Sequence, residues 1–228
     1  MSAAGPADPM SRDRAIAEGL ARLNALLPLA TRQRALAPAA RELHRAVLSD
    51  FVTRGQPPSR ALLQARDPDA DVDKLLAALA GQDLIVFGPD GEIAGAYPMT
   101  TEATPHRVQV NDHWIHAMCA LDALAVAPMY DTATRVESTC HVTGAPVLLK
   151  QSAGTIVEAG PCAEMRVGIR WQEAGGCAAH SLCREMVFLA DPDIASRWAG
   201  TDPSRYSLFT LPQAAALASA FFRPLVCD

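Results

Sequence analysis

The sequence predicts an α+β fold, with an N-terminal winged-helix-like helical module followed by a mostly antiparallel β domain with flanking helices. Three observations carry this. Apolar residues recur at helical spacing as far as Gly81. Asp90-Gly91 separates two short apolar runs, as in a hairpin. Beyond residue 100 the chain turns to short alternating segments broken by turn residues. With 50% of its 228 residues apolar and 20% charged, disorder along the whole length is excluded.

Taken in order, residues 1–14 read as a short disordered leader with no apolar run behind its arginines, so not as a signal peptide. Ile16, Leu20, Leu23 and Leu27 mark a helical pattern over 12–34, interrupted at Pro28. A second helix follows Pro38 through Leu43, Val47, Leu48 and Phe51, and Gly55 with Pro57-Pro58 stops it. Ser59 can cap a short helix reaching Arg66. Asp69 or Asp71 can cap another, carrying Val72, Leu75, Leu76 and Leu79. A strand over 84–87 and a return strand over 93–97 complete the winged-helix order of elements. Strands are expected over 107–110, 134–142, 146–150, 154–159, 165–171 and 182–190. Helices are expected over 113–124 and 212–222, with a short one over 191–198. The domain reading is 1–35 for leader and first helix, 36–100 for the winged-helix-like module and 101–228 for a catalytic α+β domain.

Charge narrows the function. The net charge is −5, and residues 67–105 hold eight acids against one lysine. The third helix of a winged helix often meets DNA, but this one would bring carboxylates to phosphates without releasing counterions. The module is therefore expected to serve packing, and nucleic acid is not an expected partner. No run reaches the roughly 18 apolar residues of a membrane span. Six cysteines at 119, 140, 162, 177, 183 and 227 form no C-x-x-C pair. That suits a reducing cytoplasm, where such thiols are core residues, nucleophiles or ligands for a soft metal.

The densest chemistry is His113-Trp114-Ile115-His116-Ala117-Met118-Cys119-Ala120-Leu121-Asp122. On a helix Cys119 and Asp122 share a face, so an acid lies beside a thiol with which it can exchange a proton. A carboxylate on an otherwise apolar helix needs such a partner. His113, His116 and Cys119 would also share a stripe suited to zinc or copper, but no fourth ligand lies near, and the histidines read better as a partly exposed helix end. A triad of Cys119 with His141 or His180 has only residue types in its favour.

The segment 114–124, with its Cys-Ala-Leu-Asp, resembles the active-site segment of organomercurial lyases (alkylmercury lyases). Residues 135–147, Ser181-Leu182-Cys183 with the apolar run 187–190, and the turn at 90–95 are similar to later and earlier parts of that family, in the right order. The likeness spans roughly 38–222. It implies that Cys119 and Cys183 are catalytic thiols that hold mercury, that Asp122 handles the proton and touches the metal as a weak third contact, and that Cys140 serves structure. Met118 departs from the family, where an aromatic is common, as do Arg184-Glu185-Met186 after the second cysteine. Cys162, Cys177 and Cys227 have no counterpart.

The chemistry fits the residue types. Mercury is soft and prefers thiolates; two of them would weaken its bond to carbon while a positioned acid protonates the departing carbon. The implied substrate is a small organomercurial, held against apolar side chains such as Met118 and Leu121. No organic cofactor is needed, and cellular thiols or a mercuric reductase would remove the metal. With sulfur–metal bonds of roughly 2.3 Å, the two sulfurs should lie within about twice that. The competing readings are a winged-helix metal-responsive regulator and a mercury-binding homologue that does not cleave.

Overall fold

Side-chain caps fix where several helices of this computed structural model begin; it describes residues 9–227 apart from 163, 174 and 203, so residues 1–8 of the expected leader lie outside the described residues, while 9–14, expected as leader too, are helical. Helix α1 spans Pro9–Leu26 and α2 Leu29–Ala35, broken at Pro28 as its missing N–H and fixed φ require. Helix α3, Pro38–Arg54, starts on a proline and ends at Gly55, whose φ of 75° is the left-handed stop. Ser59 accepts a hydrogen bond from the Leu62 N–H to open α4, Arg60–Arg66, and Asp71 accepts from Lys74 to open α5, Val72–Gly81. Strand β1, Ile85–Phe87, and β2, Ile93–Ala96, form the expected hairpin.

The next strands are β3, Met99–Thr100, β4, Arg107–Val110, and β5, His113–Ala117, followed by α6, Ala120–Met129. This corrects the expected helix over 113–124. Asn111 and Asp112 both take positive φ, 46° and 64°, and make the tight hairpin that pairs Val110 with His113. The alternation of His113, Ile115 and Ala117 then belongs to a strand, and the helix begins only after Cys119. Strands β6, Ala133–Thr139, β7, Pro146–Ser152, and β8, Thr155–Gly160, follow as a meander. Strand β6 stops short of the expected 142, because Gly144 N–H donates to the Cys140 carbonyl and turns the chain.

All eight strands β1-β2-β3-β5-β4-β6-β7-β8 form one antiparallel sheet. A second, three-stranded sheet has the order β10-β9-β11, with β9 Arg166–Arg170, β10 Met186–Leu189 and β11 Tyr206–Thr210. The expected strand over 182–190 is shorter, because residues 182–185 form a 3-10 turn. Strands β3 and β11 were not expected. Helix α7, Pro192–Ala199, is capped by Asp191, and α8, Leu211–Phe222, by a Thr210–Gln213 capping box. No helix among the described residues is long and apolar enough to cross a membrane.

Helix α6 is the centre of the molecule. Every one of its residues is buried, and it packs against α8, β6, β7 and β10. One apolar core runs from Leu23 to Leu225 through it. Across that core, Gln33 donates to His44 Nδ1 (2.7 Å) and to the Leu225 carbonyl (2.8 Å), while His44 Nε2 meets the Leu84 carbonyl (3.3 Å). Burial keeps this imidazole neutral, its pKa lowered to about 4. Close packing also explains Gly168 on β9: a Cβ there would fall 2.5 Å from Trp198 Cζ3 and 2.8 Å from Leu189 Cδ1. Gly168→Ala should lower stability by about 1–3 kcal/mol, the cost of overpacking a filled core, read from the urea midpoint.

Candidate active site

Strand β5 ends against the interior, and two residues, Met118 and Cys119, carry the chain into buried α6. Cys119 is extended (φ −153°, ψ 179°) and occupies the capping position, where its Sγ accepts the N–H of Asp122 at 3.3 Å. The thiol and the carboxyl are therefore joined at a helix start rather than ranged along one face of a longer helix. A sulfur at a helix N-terminus faces unpaired N–H groups, a setting that favours the thiolate when a proton acceptor or a metal is at hand.

Cys183 reaches the same place from the 3-10 turn before β10, 64 positions along the chain from Cys119. Ligand atoms of Cys119, Asp122 and Cys183 all lie within 4.8 Å of one another, and all three residues are buried. Neither thiol is in a disulfide. The sulfurs thus stand at about the separation expected of two donors sharing one soft ion. Cys119 Sγ also donates to Met186 Sδ at 3.6 Å.

Electrostatics follow from dryness. Burial raises the Cys119 thiol well above its ordinary range, and its neighbours Cys183 and Asp122 push it the same way. The hydrogen bond with Cys119 lowers Cys183, but burial and the facing Asp122 outweigh it, so this thiol is raised too. Burial lifts Asp122 to about 7 against the opposing hydrogen bonds of the two thiols. Its Oδ2 is buried with no hydrogen-bond partner. The site accordingly rests with both sulfurs protonated and a carboxyl poised to hold or release a proton near neutrality.

A cavity of about 280 Å³ reaches this cluster at Cys183 and is also lined by Met118, Met186, His106, His141 and Val86 among others. That is the size for a compact ligand, below the roughly 300–1,000 Å³ of drug-sized sites. His106 is 8% exposed, bonds Ser138 Oγ through Nδ1 at 2.8 Å, and is held neutral by burial, its pKa lowered to about 4. A larger cleft of about 780 Å³, lined by Arg34, Arg41, Arg223 and Cys227 among others, contains none of the three clustered groups.

Other expectations fare differently. Leu121, expected against a substrate, is fully buried and does not line the cavity. The His113–His116–Cys119 stripe does not exist: His113 bonds the Thr53 carbonyl (2.9 Å) and His116 the backbone of Thr104 (3.0 Å). His141 lines the cavity and His180 pairs with Glu102 at 3.4 Å, and neither bonds Cys119 among the described residues. Cys140 lies in a satellite apolar cluster with Val187 and Leu189. Cys162 and Cys227 are exposed, and Cys177 bonds the Tyr97 hydroxyl at 3.4 Å. Sequence reasoning missed Met186 and His106 as parts of the site; a methionine opening an apolar strand gives no signal apart from core packing.

Comparison with known proteins bears on this site. The family model described as alkylmercury lyase (MerB) matches residues 99–223. An alkylmercury lyase from Pseudomonas putida is 31% identical over 117 residues, covering 51% of this chain and 54% of that protein. One from Streptomyces lividans is 28% identical over 139 residues, covering 61% and 64%. The aligned region thus spans between half and two-thirds of the length of these relatives. The crystal structure of the mercury-bound form of MerB2 has the same fold, with a TM-score of 0.73 at 16% identity over 94% of this chain and all of that one.

Proposed function

The chain belongs to the alkylmercury lyase family, and from that premise we propose that it splits the carbon–mercury bond of small organomercurials by protonolysis. The observation that carries this is the buried triangle of Cys119, Asp122 and Cys183, of which Cys183 lines the cavity. In the proposed reaction one thiol captures R–Hg⁺ and gives up its proton to the Asp122 carboxylate. The second thiol adds to mercury and weakens the bond to carbon. Asp122 then delivers a proton to carbon as the bond breaks. The balance is R–Hg⁺ plus two thiols going to R–H, mercury held by two thiolates, and one proton released to water. The pKa of Asp122, about 7, suits a group that must both accept and donate in one turnover.

No step calls for an organic cofactor. Cellular thiols or a mercuric reductase are the proposed acceptors of the metal, in the cytoplasm. In the same proposal residues 36–100 are a winged-helix-like packing module and 101–228 the catalytic domain. The acidic run at 67–105 supports packing over DNA binding.

Incubation with phenylmercury and excess thiol tests the reading through benzene release. The wild type should turn over repeatedly. Cys119→Ser and Cys183→Ala should each fall to background, because an oxygen or a methyl cannot supply the second soft donor. Stoichiometric binding by the wild type without benzene would overturn cleavage and leave a protein that only sequesters mercury.

A further inference from the structure

We propose that the thioether of Met186 is a third sulfur ligand of the mercury in this site, taking the identity of the metal from the lyase reading. Met186 opens β10 and is 3% exposed. Its Sδ stands 3.6 Å from Cys119 Sγ, and its side chain lines the cavity beside Cys183. A methionine that only filled core space would present its sulfur to carbon; leucine would serve that purpose equally well. Here the sulfur is turned to the reacting thiol and receives its S–H.

The same geometry suits a metal. With sulfur–metal bonds of about 2.3 Å, two sulfurs 3.6 Å apart subtend an angle of about 100°. Cys119 and Cys183 have their sulfurs within 4.8 Å of each other, close enough to share the same ion. When mercury binds, the Cys119 proton leaves, and the ion takes the place of that hydrogen between the two sulfurs. A thioether has no proton to lose and carries no charge, so it adds electron density to the ion without another anion in a dry site. It also keeps a soft donor on the metal while one thiolate is exchanged for an outgoing thiol.

The experiment loads the full chain with one equivalent of mercuric chloride and reads the metal's neighbours by X-ray absorption. The wild type should show three sulfurs and Met186→Leu two. Extraction of the ion by a dithiol should be about tenfold faster from the variant, the scale on which supporting groups tune metal sites. Selenomethionine-labelled wild type should show selenium next to mercury, a result independent of how the variant folds. Identical surroundings in wild type and Met186→Leu, or no selenium neighbour in the labelled protein, overturn the proposal. None of these measurements needs carbon–mercury cleavage, so a three-sulfur shell with no benzene release would sink the lyase reading alone.

Discussion

Asp122→Asn should capture phenylmercury and fail to release benzene, with the single-turnover rate down by about 10²–10⁴-fold, the usual worth of a positioned proton donor. The amide keeps the size and most contacts of the carboxyl but cannot shuttle a proton. Both thiols remain, so the substrate should be found covalently held as a thiol–mercury–phenyl adduct by intact-protein mass spectrometry. The two readouts separate binding from chemistry. A variant that released benzene at the wild-type rate would remove Asp122 from the mechanism and point to water or a thiol as the donor. His106 is a poor substitute, since burial keeps its imidazole neutral, with a pKa of about 4.

The same substitution should change how stability depends on pH. Asp122 is raised from an ordinary 3.8 to about 7 in the folded chain by burial. Below pH 4 it is protonated whether folded or not, and contributes no difference. Between pH 4 and 7 the unfolded chain loses this proton while the folded chain keeps it, so stability falls as pH rises. Above 7 both states are ionised and the loss is complete, on the order of 4 kcal/mol. Asp122→Asn removes this dependence. The gap between variant and wild type should therefore widen by roughly that amount from pH 4 to pH 8 in urea titrations. His44 and His106 act oppositely: both fall from 6.5 to about 4, so their contribution is lost as pH drops through that interval. With two imidazoles against one carboxyl, these groups together make the wild type gain stability from pH 4 to 6.5, and the variant gain it more steeply. A constant gap between the two proteins across the range would show that the carboxyl is not desolvated as the structure implies.

What could be read from the sequence was local. Ser59, Asp71 and Asp191 open helices because a short oxygen can reach an N–H three residues on, and nothing distant is involved. Residues 113–117 were misread because their apolar positions adjoin those of α6. The corrective signal, Asn111-Asp112 as a two-residue turn, was present but weak without glycine. The meeting of Cys119 with Cys183 depends on β10 packing against α6, which no spacing encodes; resemblance to a family suggested that pair, not periodicity. Met186 was out of reach for a different reason. Its sulfur and its hydrocarbon satisfy the same apolar pattern, and only coordinates tell which of them faces the thiol.

Cys119 supplies both a sulfur of the proposed reaction and the cap on α6, a helix buried at every residue. Chemistry and architecture are thus written in one atom, and a change from sulfur to oxygen would erase the first while keeping the second, since serine is the better cap. Descendants of such a chain could shed their reactivity in a single codon step without unravelling. Silent copies that still fold and still present the same cavity are the expected relics of that history.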